Sequence, residues 1–517
     1  MSTRVRRRPA ERTRRRDPSR PGTFARLLLA VRGSLAGVPR AAWVCALVAL
    51  LNAVCWSLIT PPFLALDEPD HFAYVQQLAE NGRLPTSAQS EYSEEEQLAL
   101  RDLHQSEVRF RPAGHPIFSV AEQRKLESDL AQPLTRAGPG GAGVATSEPP
   151  LYYALETIPY ALGSSGSILD RLELMRLLSA FFGAITALFV FLFLREALPA
   201  APWAWTVGGL GAALEPLLAF STSTVDPDSL LFAISAMVFY GIARAFRRGL
   251  TRRSALTLGV LCAVGLLTKL NFAGLLPGVI FALVLLTRRA SRQAGSGIYL
   301  RWLTPALVIA LSPGILYGLI NLLSGHHTFG LVSSGLGGLT SGHRSIPAEL
   351  SYIWQFYLPR LPWMHSYFGE IFTPRQIWLR NVIGLYGWGD TTFPGWVYNL
   401  ALVPLAAIAA LCLRTLIVER ARLRARIVEL VAYALMSVGV MVLVAAASYL
   451  LLSGGGVAEF TDARYLLPML ALWAAILALA ARGAGSRWGP TVGVLIVVLV
   501  FAHDVFSQLQ VIARYYG

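Results

Sequence analysis

Ala41-Ala42-Trp43-Val44-Cys45-Ala46-Leu47-Val48-Ala49-Leu50-Leu51-Asn52-Ala53-Val54-Cys55-Trp56-Ser57-Leu58-Ile59-Thr60 is an uncharged run that ends at Pro61-Pro62, with Asp67-Glu68-Pro69-Asp70-His71-Phe72 just beyond it. A helix of this length is about long enough to cross a hydrocarbon core of roughly 30 Å, and the two prolines stop it where a bilayer would end. Three carboxylates and an imidazole therefore begin at a membrane surface. Charge at such a rim points to chemistry on lipid-linked substrates.

Composition agrees with the reading of that run. Of 517 residues, 54% are hydrophobic and only 15% charged, and the mean hydropathy is +0.50. These values fit an all-α, polytopic transmembrane helical bundle and exclude a water-soluble globule. Cys45, Cys55, Cys262 and Cys412 lie inside apolar runs without ligand spacing, so neither a disulfide framework nor a zinc site is indicated. The net charge of +14 follows topology and does not imply nucleic acid. Nine arginines between Arg4 and Arg20 precede the first span and place the N-terminus in the cytoplasm, where they also meet anionic membrane lipids. This basic region is too long for a signal peptide.

The remaining apolar runs alternate sides in a self-consistent way. Leu172 to Leu194 returns to Arg195; Trp203 to Phe220 goes out; Ser229 to Tyr240 returns to Arg244, Arg247 and Arg248. Leu256 to Leu267 goes out and Phe272 to Thr287 returns to Arg288, Arg289 and Arg292. Leu303 to Leu323 leads out, Val397 to Leu413 returns to Arg414, and Val431 to Leu452 leads out again. Leu466 to Ala481 returns to Arg482, and Val492 to Phe501 ends outside. The expectation is about 11 spans. The domain plan is an Arg-rich, disordered cytoplasmic tail over 1–40, a membrane domain over 41–505 and a short C-terminal tail over 506–517. Outer loops fall at 61–170 and 324–393. Within the first, Ser93 to Leu103 and Glu122 to Leu130 read as polar helices.

On this map the unusual polar residues gather on the outer side: Asp67, Glu68, Asp70, His71, Glu148, Asp226, Asp228, Lys269, Asn271, Trp388, Asp390, Arg464 and Tyr465. Rim carboxylates are costly to bury and are functional candidates. Asp226 and Asp228 equally suit a helix cap, and Lys269 and Arg464 equally suit interfacial snorkelling. Trp354, Tyr357, Trp363, His365, Tyr367, Tyr386 and Trp388 suit either sugar stacking or an interfacial aromatic belt. His326, His327 and His343 have no ligand spacing. A divalent cation, Mg or Mn, is compatible with Asp67, Glu68 or the Asp226/Asp228 pair. The sequence holds no Walker-type loop, which disfavours a nucleotide-sugar donor.

Four motifs in order, Leu66-Asp67-Glu68-Pro69-Asp70-His71-Phe72, Glu148-Pro149-Pro150-Leu151-Tyr152-Tyr153, Gly387-Trp388-Gly389-Asp390-Thr391 and Ala463-Arg464-Tyr465-Leu466-Leu467-Pro468, resemble the DUF2142 bacterial membrane proteins. These in turn resemble GT-C glycosyltransferases, and the similarity spans most of residues 60 to 470. The resemblance implies transfer of a sugar from a polyprenyl-phosphate donor to a glycan, glycolipid or protein acceptor outside the plasma membrane. GT-C enzymes carry an acidic catalytic or metal-binding residue at the end of the first span, the position of Asp67 and Glu68 here. Independently of the name, a sugar hydroxyl needs a base and a departing phosphate needs positive charge, for which Lys269 and Arg464 are the candidates. The rival reading is a transporter or flippase of lipid-linked glycans, whose charges would lie along a path across the membrane.

Overall fold

A computed structural model describes residues 37–111, 119–294, 297–324, 345–368, 373–453 and 462–517. The Arg-rich stretch 1–36 and His326, His327 and His343 lie outside the described residues. The helices used below are α1 (Arg40–Ile59), α2 (Glu68–Asn81), α3 (Glu94–Asp102), α4 (Val120–Leu130), α5 (Leu151–Leu162), α6 (Ile168–Ala197), α7 (Pro202–Ala213), α8 (Pro216–Thr222) and α9 (Asp228–Arg248). They continue with α10 (Arg252–Thr268), α11 (Leu276–Ala294), α12 (Gly297–Ser324), α13 (Ile346–Tyr357), α14 (Gly395–Val418), α15 (Ile427–Ser453), α16 (Leu470–Gly483) and α17 (Gly485–Tyr516). A small antiparallel hairpin pairs β1 (Leu385–Tyr386) with β2 (Thr391–Thr392). The protein is an all-α polytopic bundle.

Among the described residues, nine helices are long and apolar enough to cross a membrane. They match nine of the eleven expected spans. The other two are shorter. α10 has 17 residues, and the Trp203 to Phe220 run is broken into α7 and α8 at Leu214-Glu215-Pro216. Pro216 has no N–H to donate and its ring crowds the carbonyl four residues back, so one helix cannot continue through it. The expected C-terminal tail also needs correction: α17 runs on to Tyr516, because Ser507, Val511, Arg514 and Tyr515 pack inward and extend its buried face.

α6 is the central post, packed along α1 and α9. Small residues let the backbones approach: a Cβ on Gly439 of α15 would sit 2.1 Å from the carbonyl oxygen of Gly274. Without a hydrophobic drive between helices in lipid, such close contact is what holds neighbours together. The two ends of the bundle differ. At one end Arg247 and Arg248 pair with Glu196, Arg426 with Glu429, and Arg482 with Glu419. At the other, α2, α3, α4 and α5 form a cap over the ends of the long helices. Ser93 and Ser119 cap α3 and α4, and Glu95 of α3 pairs with the buried Arg171 of α6. This end carries the site.

Candidate functional site

α2 starts at the membrane rim with Asp67 in the left-handed region, φ 60°. That conformation is uncommon for a residue with a side chain, though Asp and Asn tolerate it best. It persists because the next residue is locked. Glu68 is fully buried, and its carboxylate accepts from Arg176 Nε at 2.7 Å and Nη2 at 2.6 Å, from the Phe63 amide at 3.0 Å and from the Val225 amide at 3.2 Å. Arg176, also fully buried, donates in addition to the carbonyls of Ser57, Thr60 and Pro61. Glu68, a sequence candidate for catalysis or metal binding, has both its oxygens engaged in holding the 60–68 turn against α6.

Asp70 also faces elsewhere. It accepts from Ser90 Oγ and Tyr92 Oη, both at 2.8 Å, and from the Val144 amide at 3.3 Å, which ties the cap to α2. Asp390 accepts from its own hairpin loop and meets Arg514 of α17 at 3.3 Å, so it anchors the last helix. Asn271 encloses its Nδ2 without a hydrogen-bond partner among the described residues and joins none of the contacts below.

The remaining candidates converge from distant parts of the chain. Arg464 stands 2.9 Å from Asp226, 3.4 Å from Asp67 and 3.4 Å from Asp462. Lys269 stands 2.9 Å from Asp228, 3.7 Å from Asp226 and 4.0 Å from Glu148. His71 is hydrogen-bonded to Tyr153 at 2.9 Å and presents its other nitrogen 3.9 Å from Asp226. The rings of Tyr465 lie 5.7 Å from Lys269 Nζ and 5.3 Å from the Arg464 guanidinium. Asp226, one residue before the N-cap Pro227 of α9, also accepts from the Asp228 amide through Oδ1 at 2.8 Å, so it serves the turn and the ion cluster together.

Burial shifts these groups in opposite directions. It pushes the Asp226 carboxyl up, but Lys269 and Arg464 outweigh it and hold Asp226 well below the usual range. For Lys269, burial opposes the charge and Asp228 and Asp226 restore it, so its pKa is raised. Burial raises Glu148 to about 7, against the pull of Lys269. Burial lowers His71, which is neutral at pH 7.

Asp67, Asp226, Asp462, Arg464, Tyr465 and Trp388 line a cavity of about 390 Å³ at this end. Among the acids lining the cavity, Asp67 is the least engaged. Its side chain is 22% exposed, it caps nothing, and it touches Arg464 through one oxygen only. Asp462, similarly exposed, spends Oδ1 on the Arg464 amide at 2.9 Å. A divalent cation does not fit this donor set. No group of three or more His, Cys, Asp or Glu side chains among the described residues is arranged to hold one, and the acids facing the cavity meet Arg464 and Lys269.

A second, apolar groove of about 1010 Å³ runs beside the cavity between α13 and α15, lined by Trp354, Tyr357, Trp378, Val438, Met441 and Leu466. The two share walls: Leu466 follows Tyr465, and Leu379 and Val382 of the groove bracket Asn381 of the cavity. Trp354 and Tyr357 thus belong to the groove, while Trp363 is exposed.

The sequence contains no hint of Arg176 as a partner of the motif, since it is an ordinary residue inside an apolar helix; Tyr153 stands in the Glu148–Tyr153 motif, but nothing there pairs it with His71. Only a long-range contact reveals them.

Two solved structures that the fold resembles are oligosaccharyltransferases of Archaeoglobus fulgidus. The apo form is 12% identical, with a TM-score of 0.47, and the match covers 92% of this chain and 56% of that one. The AglB complex with an inhibitory peptide and a dolichol-phosphate is 13% identical, with a TM-score of 0.46 and the same coverage. The present chain thus spans little more than half the length of either, and a likeness this low carries no functional weight. No curated protein matches the sequence. The family model described as "Predicted membrane protein (DUF2142)" matches residues 50–473, and the chain belongs to that family.

Proposed function

We propose that this protein is a membrane glycosyltransferase that moves a sugar from a polyprenyl-phosphate carrier to a glycan, glycolipid or protein acceptor at the outer face of the plasma membrane. The observation that carries this reading is Asp67, held in a strained backbone conformation at the cavity wall, 3.4 Å from Arg464. Strain of this kind persists where surrounding structure imposes it and is concentrated at functional sites. In the proposed step the acceptor oxygen attacks the anomeric carbon and Asp67 takes the hydroxyl proton. The bond from that carbon to the phosphate oxygen breaks, and the electron pair leaves with the lipid phosphate. Arg464 and Lys269 stabilise the charge that develops. The apolar groove beside the cavity suits the isoprenoid chain, and the arginine-rich opposite end supports a cytoplasmic N-terminus. Carboxylates outnumber cations in the cluster, so a phosphate is best accepted when Glu148 carries its proton.

Transport of lipid-linked glycans is favoured by one feature: Glu215 and Asp504 are buried within the bundle. Asp504 accepts from Trp56 at 3.0 Å and Gln508 at 3.1 Å. These are neutral donors, however, and the paired ionic groups gather at the two ends.

The test uses purified protein in lipid nanodiscs and a polyprenyl-phosphate-linked sugar. Wild type is expected to release polyprenyl phosphate when acceptor glycans are added, and Asp67→Asn to bind the lipid but leave it intact. Release that survives in Asp67→Asn removes Asp67 as base. Intact lipid in both proteins, with movement between leaflets, favours transport.

A further inference from the structure

Beside the cavity wall formed by Phe110 and Trp388 lies a cation with no acidic partner among the described residues. Arg109 lies just past the short helix Gln105–Val108. Its guanidinium stacks over the Trp388 indole at 3.8 Å and lies 4.9 Å from the Phe110 ring. Among the described residues it has no carboxylate within ion-pair distance, and its Nε is enclosed without a hydrogen-bond partner. This contrasts with Arg464, Lys269 and Arg514 close by, each of which meets an acid.

Trp388 is only 4% exposed and lines the cavity, and its Nε1–H is enclosed without an acceptor among the described residues. The hairpin presents Trp388 rigidly between Gly387 and Gly389, both in the left-handed region. Beside it, Phe110 is 59% exposed at the cavity wall, with φ 59° and its ring 5.3 Å from the indole. The exposed Phe110 ring and a guanidinium with no acidic partner among the described residues describe a ligand with a flat apolar side and a negative charge.

We propose that Arg109, Phe110 and Trp388 form a subsite for an anionic sugar ring, of the uronate type, belonging to the acceptor. The inference rests on reading the cavity as the place of transfer and adds the chemical class of the acceptor. The interior of the cavity is rich in carboxylates and repels a second anion, so a negatively charged sugar is held at the mouth with its hydroxyl directed inward toward Asp67.

Ligand-observed NMR on the purified full chain tests this with glucuronate, glucose and a short polyprenyl phosphate as probes. Glucuronate is expected to bind at least ~10-fold tighter than glucose, which is about 1.4 kcal/mol. Arg109→Gln is expected to abolish that preference without moving the thermal midpoint. Trp388→Phe is expected to weaken both sugars. Equal binding of the two sugars, or a preference that survives Arg109→Gln, overturns the proposal. So does loss of polyprenyl-phosphate affinity in Arg109→Gln with glucuronate unaffected, which assigns the cation to the donor. Failure on the sugars with lipid binding intact leaves the transferase reading standing, whereas failure of lipid binding alone leaves the subsite standing.

Discussion

Replacing Glu68 by Gln separates structural from chemical roles in the Asp-Glu pair. The wild-type carboxylate accepts four hydrogen bonds, two of them from a guanidinium that is itself fully buried. Gln offers one acceptor oxygen and turns an NH₂ toward two donors. The variant therefore loses about two bonds, one of them charge-assisted, and leaves Arg176 with only the partly exposed Glu173, 3.4 Å away, as countercharge. Removing one partner of a buried pair costs about 3–5 kcal/mol. Glu68→Gln should accordingly lower the thermal midpoint in detergent by many degrees and reduce the yield of folded protein. Asp67→Asn should leave the midpoint within about 1 kcal/mol of wild type, because Asn accepts the left-handed conformation and the side chain is partly exposed. Fluorescence-detected thermal unfolding of both variants reads this. A Glu68→Gln protein as stable as wild type, or an Asp67→Asn protein that fails to fold, refutes the division of labour.

Further outcomes follow from the same cluster. Burial raises Glu148 from the ordinary glutamate value of 4.5 to about 7, so the folded state holds an extra proton between those pH values. Its contribution to stability is present at acid pH and is lost as pH rises through that window, by at most about 3 kcal/mol; Glu148→Gln should remove this part of the slope in a thermal series from pH 5 to 8. Lys269→Gln leaves Asp226 and Asp228 short of a countercharge and should destabilise by a few kcal/mol while abolishing polyprenyl-phosphate binding; retained binding, measured by native mass spectrometry, removes Lys269 from the phosphate site. Gly387→Ala places a Cβ 2.4 Å from Tyr515 Oη and 2.8 Å from Asp390 Oδ1 at φ 65°. It should cost at least about 1–2 kcal/mol and loosen Trp388, seen as a red shift in tryptophan emission.

The class of fold was legible because membrane spans are written locally. A run such as Ala41 to Thr60 needs no partner to declare itself, and the alternation of arginines supplies the order of sides. The break at Glu215-Pro216 is hidden in the sequence because the run stays apolar across the proline that lacks an N–H. Site residues were legible only as types in a place. Asp67, Asp226, Lys269 and Arg464 stood out as charges at the ends of apolar runs, and the fold brings them together. Sequence could not separate Asp67 from Glu68, since the deciding contact comes from Arg176, more than a hundred residues away in an apolar helix. Likewise Asp70 and Asp390 carry the same carboxyl chemistry as Asp67, but the structure turns them to the cap and to α17. Arg109 was invisible because it lies just past a short polar helix, and its significance comes from Trp388.

The most direct measurement is an electron cryomicroscopy structure of the full chain with a non-hydrolysable polyprenyl-phosphate sugar. The account predicts the phosphate within hydrogen-bonding distance of Arg464 or Lys269, the sugar facing Asp67, and the isoprenoid chain along Trp354 and Trp378. A phosphate bound away from both cations, or a lipid crossing the bundle toward Glu215 and Asp504, contradicts it.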